Sequence, residues 1–297
     1  MSETCTLPEF MERFQTEDDC VRAVAKARWP NGFICPACGH DDGYQISSRP
    51  VIQCAVCDRQ ASVTAGTIFH KTRIPLRQWF LIIFLVAQDK GGASALRLSK
   101  LLKMRYDTVW HILHKIRTAM KKDDEAIKLT GYIEIDEGFF GGITKGRPGR
   151  GSKKKVPVLV MVESFGRRAG YLAMQALNRV NMDNIRDAVG RRVLPRQHFR
   201  SDGWQAYAIL RTEHKLDMGP IPVESLDHEL HWVHIAISLA KRFIMGTYHG
   251  VSGVRLQSYL DEFCYRFNRR RLGTGIFFAL LSSCSTANPT TYTEVRG

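Results

Sequence analysis

The segment YIEIDEGFFGG, residues 132–142, has the composition of a β-strand that runs into glycines. Tyr132, Ile133, Ile135, Phe139 and Phe140 are strand formers, yet Glu134 and Asp136 fall on one face of the alternation. An apolar strand gains nothing from a carboxylate near its middle unless that face meets solvent. Solvent is a sufficient account of Glu134. For Asp136 the answer depends on what the rest of the chain sets beside it.

Downstream, VPVLVMVES (156–164) and GYLAMQAL (170–177) read as strands and MDNIRDAVGRRV (182–193) as a helix. HFRSDGWQAY (198–207) has the form of a strand ending at an aspartate, then a turn and a helix. Strand, strand, strand, helix, strand, helix is the order of an RNase H-like α/β domain, a mixed five-stranded sheet with flanking helices. In that fold one acid sits on the first strand and a second just after the fourth. Asp136 and Asp202 occupy these two places, so Asp136 is expected to hold a metal.

Upstream, residues 75–120 show helical periodicity broken at Gly91-Gly92. One helix is expected to about Lys90, a second over Ala93–Leu102, and a third from near Asp107, an N-cap residue type. The short KMRY turn between the last two fits a helix-turn-helix layout. Its third helix would offer Thr108, His111, His114, Lys115 or Arg117 to a DNA major groove. An ordinary helical bundle with a basic solvated face has the same pattern.

Nearer the N-terminus, CPACGH and CAVCDRQ place Cys35, Cys38, Cys54 and Cys57 in two C-x2-C pairs fifteen residues apart. That is zinc-ribbon spacing. Four thiolates close a tetrahedral Zn²⁺ site with no open position, so this metal is structural. Cys5, Cys20, Cys264 and Cys284 lack such pairing and read as small apolar packing residues.

The 297 residues are 44% hydrophobic with a net charge of +14. A folded chain with a polyanionic partner, usually nucleic acid, is expected. WFLIIFLVA at 79–87 is too short to cross a bilayer. MSETCTLPEFMERF has no basic n-region or apolar h-region, so a cytoplasmic, nucleoid-associated location is expected. The expected modules are a helix plus zinc ribbon over 1–70, a helix-turn-helix-like DNA-binding region over 71–128, an RNase H-like catalytic domain over 129–284, and a polar tail over 285–297.

Seven segments in order, FICPACGH, VTAGTIFHKTRIPLRQWF, TVWHILHKIRTAM, IEIDEGFFGG, SDGWQAY, KRFIMGTYHGVS and LDEFCYRFNRR, run nearly the whole chain. With them the chain resembles bacterial insertion-sequence transposases of the DDE superfamily, in the group with an N-terminal zinc ribbon and a lysine after the third catalytic position. The resemblance implies cleavage and strand transfer at double-stranded DNA ends by two divalent metals, Mg²⁺ or Mn²⁺, in a homodimer or larger assembly. Asp136 and Asp202 would be metal ligands, and Lys241 would contact a phosphate near the scissile bond. The sequence departs from the superfamily at the third ligand. The usual glutamate, seven residues before the basic residue, is His234 here, and the asparagine expected two residues before the lysine is Leu239. Positions seven apart share a helix face, which favours His234, and imidazole suits Mn²⁺ better than Mg²⁺. Glu224 and Glu229 remain alternative sources of an acid, and His228, His231 and His234 a weaker alternative zinc set. The basic stretches GRPGRGSKKK (146–155) and FNRRRL (267–272) are expected on DNA backbone.

Overall fold

Short acidic caps set the first helices. The Thr6 N–H donates to Glu9 at 2.7 Å at the start of α1 (Leu7–Arg13). Thr16 and Asp19 form a reciprocal capping box at the start of α2 (Glu17–Arg28). The computed structural model describes residues 4–46, 49–141, 155–219, 229–291 and 294. By their contacts they form two units, Met1–Asp123 with Arg269–Gly297, and Asp124–Asn268.

In the first unit a three-stranded antiparallel ribbon follows α2: β1 (Gly43–Gln45), β2 (Val51–Cys54) and β3 (Gln60–Ser62). The helices α3 (Leu76–Gln88), α4 (Ala95–Leu102) and α5 (Tyr106–Glu125) come next. Gly92 at φ 84° breaks the chain before α4. Ser94 caps α4 by accepting the Arg97 N–H at 3.1 Å, and Lys103 ends it in the left-handed region. Pro75 precedes α3 and offers no cap. The Glu17 carboxylate does this instead, accepting the N–H groups of Leu76 at 2.6 Å and Arg77 at 3.1 Å.

The last helix, α9 (Ile276–Thr286), belongs to this first unit. Its Phe277 ring lies 5.6 Å from Phe10, 5.7 Å from Phe14 and 5.9 Å from Phe84. A catalytic module drawn as 129–284 therefore takes in residues 269–284, which pack with the N-terminal helices. The helix also runs past the expected tail boundary at 285, with Cys284, Ser285 and Ala287 buried. The polar letters misled because the Ser283 and Ser285 hydroxyls donate back to Ala279 and Leu281 carbonyls of their own helix.

The second unit is a five-stranded sheet in the order β6-β5-β4-β7-β8, built from β4 (Tyr132–Phe140), β5 (Val156–Ser164), β6 (Ala169–Ala176), β7 (His198–Ser201) and β8 (Lys215–Met218). β4–β5 and β5–β6 are antiparallel, while β4–β7 and β7–β8 are parallel. This is the RNase H-like arrangement expected. β8, KLDM, is short and mixed, and no sequence signal marked it. One face carries α6 (Met182–Arg192) and the 3-10 segment Gln205–Thr212, packing Ile185, Val189, Tyr207 and Leu210 on Ile133, Ile135 and Leu159. The other carries α7 (His231–Tyr248) and α8 (Leu256–Asn268), packing Val233, Ile237 and Leu260 on Phe140, Val158 and Val160. β5 is buried on both faces, hence its unbroken apolar run.

Phe277→Ala should cost about 3–5 kcal/mol. Hydrogen exchange locates the loss: protection falls in α1 to α3 and is kept in β4 to β6. Equal loss in both units would contradict the assignment of α9 to the first.

Candidate active site and zinc centre

The four ribbon cysteines converge, with all four sulfurs within 4.8 Å of one another. Cys35 Sγ lies 3.6 Å from Cys57 and Cys38 Sγ 3.6 Å from Cys54. A tetrahedron with Zn–S bonds of about 2.3 Å has edges of about 3.8 Å, so the set fits zinc. Two matched turns build it. The Cys35 N–H donates to the His40 carbonyl (2.7 Å) and the Cys54 N–H to that of Arg59 (3.0 Å). Gly39 and Asp58, one residue past each pair, take left-handed φ of 75° and 54°. N–H groups of Cys38 and Ala37 turned onto the Cys35 sulfur hold its thiol down to about 6, while the neighbouring sulfurs push Cys38 up to about 12 and raise Cys57, so one thiolate forms readily and the others are opposed by the crowding of sulfurs.

The second constellation lies on the sheet. Alternation along β4 sends Ile133 and Ile135 into the α6 side, and Glu134 and Phe140 toward α7. β7 runs parallel to β4 in the register Tyr132↔His198, Ile133↔Phe199, Glu134↔Arg200. Asp136 stands two residues further along β4, and Asp202 follows directly on the end of β7, at the same end of the paired strands. The ligand atoms of Asp136, Asp202 and His234 do not all come within 4.8 Å of one another. Asp202 Oδ1 accepts the Trp204 N–H at 3.0 Å, turning the chain out of the strand. Asp136 Oδ1 accepts the Glu137 N–H at 2.8 Å, and its Oδ2 lies 3.3 Å from His234 Nε2. Both side chains remain partly open, at 18% for Asp136 and 31% for His234.

Glu134 is not the solvent-facing acid its composition suggested. It is 3% exposed, and its Oε2 accepts the N–H groups of Trp232 (2.7 Å) and Val233 (3.0 Å) in the first turn of α7. Leu230 precedes that helix and supplies no cap, so a strand carboxylate meets the orphan donors and the positive end of the helix dipole. His234 follows immediately and is delivered onto Asp136. Two turns on, Lys241 Nζ sits 5.8 Å from the Phe140 ring centroid. Lys241 is exposed, and partial desolvation against the strand end, then nearby Lys155, draw its ammonium below the usual lysine range, with Asp136 opposing them. Leu239 packs against the core.

Two more residues went unread. Glu137, on the opposite face of β4, accepts the Tyr207 hydroxyl at 2.8 Å, and both are buried. Burial, then the charges of Glu137, Asp136 and Asp202, keep the Tyr207 phenol protonated far above its ordinary range. One buried phenol thus lies within the field of three carboxylates. The only sequence signals were an acid inside an apolar strand and a tyrosine five residues past Asp202.

Glu229, one alternative acid, is ion-paired with Arg200. Glu224, His228 and residues 146–154 of the basic loop lie outside the described residues. His231 stacks edge-on against Trp232, 4.7 Å between centroids. The proposed recognition face of α5 is not an open surface: His114 and Arg117 are buried, and Lys115 Nζ points to the Ile68 carbonyl at 3.4 Å. Thr108 and His111 are half-buried. Apolar residues alternate with these on α5, so periodicity could not separate a basic outer face from a packed one.

Residues 128–268 match the ISXO2-like transposase domain family, and residues 15–60 match the transposase zinc-ribbon domain. The chain is 26% identical over 279 residues to the uncharacterized protein in transposable element ISH50 of Halobacterium salinarum, covering 86% of this chain and 92% of that one. No solved structure matches. No described helix is long and apolar enough to cross a membrane.

Gly43 leaves no room for a side chain: an added Cβ would lie 2.7 Å from the Gln53 carbonyl oxygen and 2.9 Å from Ile52 and Phe33 atoms. Gly43→Ala should lower zinc per chain below one equivalent by elemental analysis, as should Cys38→Ser, while a full equivalent in both would refute the four-sulfur site. Glu134→Ala strands two helix N–H groups and should cost about 2–3 kcal/mol in chemical denaturation. A cost below about 0.5 kcal/mol would mean that α7 needs no such cap.

Proposed function

Because the chain belongs to the insertion-sequence transposases that carry an N-terminal zinc ribbon, we propose that it binds the terminal inverted repeats of its own element, cleaves DNA at the ends and joins the freed 3′-OH to target DNA. The observation that supports this reading is His234 3.3 Å from Asp136, with Asp202 following the strand that pairs in parallel with the one carrying Asp136.

Asp136, Asp202 and His234 would hold Mg²⁺ or Mn²⁺. The donor set fits either ion through its carboxylates, and the imidazole favours Mn²⁺. Bound there, divalent metal supplies a Lewis acid and an activated water or 3′-OH at the phosphodiester. The chain's own groups supply position and charge. Glu134 fixes α7 against β4, so His234 meets Asp136 without a flexible arm. Tyr207, donating to Glu137, ties the segment after Asp202 to the strand that carries Asp136. Lys241, on the face of α7 shared with His234, offers a cation to a phosphate oxygen. Two DNA ends must be brought together, so two or more copies would assemble on DNA, at the nucleoid.

A regulator that binds DNA without cutting it is the second reading, and the absence of a third acid at His234 favours it. Another RNase H-like nuclease would cut but not join.

A labelled duplex carrying the inverted repeat that flanks the gene separates the three. Wild type should cut and join it with Mg²⁺ or Mn²⁺, and Asp136→Asn or Asp202→Asn should each lose about a thousandfold, matching several kcal/mol of metal-borne stabilisation. His234→Ala should lose activity in Mg²⁺ and Mn²⁺ alike. Specific binding without cutting in either metal would leave a DNA-binding remnant, and cutting without joining would leave a nuclease.

A further inference from the structure

The antiparallel pair β5–β6 ends in an uncovered tip. Ser164 pairs with Ala169, and Phe165, Gly166, Arg167 and Arg168 make the turn, with the Phe165 N–H on the Arg168 carbonyl at 2.9 Å. Gly166, at φ 66°, takes the place that a primed hairpin turn reserves for glycine. Phe165 is 57% exposed. Arg167 and Arg168 are exposed too, and no ion pair joins either to a described acid.

The tip is held at three points. Between Val162 and Ser164 the register slips, so that Gly170 and Tyr171 together oppose Glu163. The Glu163 carboxylate, 3% exposed, accepts the Tyr171 N–H of this bulge at 2.9 Å and the Thr130 N–H at 2.8 Å. The Phe165 ring lies against Gly170, where an added Cβ would come within 2.5 Å of it. Trp232, in the first turn of α7, donates its indole N–H to the Gly166 carbonyl at 2.9 Å. Glu134 holds the backbone N–H of the same tryptophan, so one helix turn positions both the tip and His234. A bulge, a buried carboxylate and an indole are thus committed to one short turn.

We propose that this tip is a minor-groove contact for the duplex flanking the cut, with Arg167 and Arg168 entering the groove and Phe165 lying against its sugar wall. The proposal rests on the transposase reading and adds to it a contact remote from the acids. On a chain of net charge +14, two arginines without acidic partners fit a polyanion better than a second copy of the chain. A groove about 6 Å wide admits arginine side chains from a tight turn and excludes a helix about 10 Å across. Its negative potential favours arginine. Because the Phe165 ring is packed on Gly170, it flanks the groove and unstacks no base. Val160 is the strand partner of Asp136, and Gly166 lies six residues beyond it. That is about 20 Å at 3.3 Å per residue, or about six base pairs of duplex.

The test is hydroxyl-radical footprinting of the inverted-repeat duplex by the full-length protein, with cutting read on the same DNA. Wild type should protect a minor-groove patch about six base pairs from the cut. The double variant Arg167→Ala, Arg168→Ala should erase that patch alone, weaken binding roughly tenfold, and lower the slope of log K against log salt by about two. Phe165→Ala should weaken the patch and keep the slope. At an A·T pair within the patch, 2,6-diaminopurine adds an amino group to the minor groove. It should weaken wild type several-fold and leave the double variant unmoved, whereas 7-deazaadenine, altered only in the major groove, should leave both unmoved. Cutting by wild type without the patch, or a patch indifferent to diaminopurine or to the double variant, overturns the tip contact and leaves the transposase reading standing. A patch with that sensitivity but no cutting keeps the tip contact and overturns the transposase reading. Neither patch nor cutting overturns both.

Discussion

The hydrogen bonds from Trp232 and Val233 to Glu134 are what the rest of the candidate site depends on. They fix where α7 begins on the sheet. Once its first turn is pinned to β4, the helical repeat decides what faces the strand: His234 beside Asp136, Ile237 against Gly138, Lys241 over Phe140. A buried carboxylate of this kind is tolerable because two N–H donors and the helix dipole offset its desolvation. The first unit uses the same device, with Glu17 holding the start of α3 behind Pro75. In both cases the residue preceding the helix cannot cap it, and an acid from another element does.

The sulfur cluster of the ribbon and the acid–histidine pair on the sheet differ in how they hold charge. In the ribbon, four sulfurs at tetrahedral spacing close a site on themselves, and two matched turns with left-handed residues set their directions. On the sheet, Asp136 and His234 keep part of their surface open and approach to 3.3 Å, while Asp202 stands in the turn that follows β7. A closed sulfur site suits a structural ion, and an open oxygen site suits one that exchanges ligands. The Tyr207–Glu137 bond lies between these extremes, fully buried and satisfied, fastening the segment after Asp202 to β4.

Much of this was legible in the letters. The ribbon followed from cysteine spacing, because a tetrahedral ion dictates a short, local pattern. The order of strands in the second unit followed from apolar runs and their breaks, which also placed Asp136 on the first strand and Asp202 just after the fourth. The serine-rich end of α9 misread as a tail, since hydroxyls that bond back to their own helix look polar in a sequence. The buried face of α5 misread as a groove-facing one, because His114, Lys115 and Arg117 carry the letters of a DNA contact whether or not they are covered.

What the sequence determined by itself is what depends on neighbours within a few residues: the zinc-binding turns, the helix starts at Thr16 and Ser94, the strand that carries Asp136. The tertiary structure alone decided the roles of residues whose partners lie far along the chain. Glu134 meets α7 ninety-eight positions later and Glu137 meets Tyr207 seventy later. A carboxylate carries the same charge and hydrogen-bonding capacity whether it faces water, caps a helix or holds a metal. Only the packing of β4 against α7 and the 3-10 segment after Asp202 chooses among these.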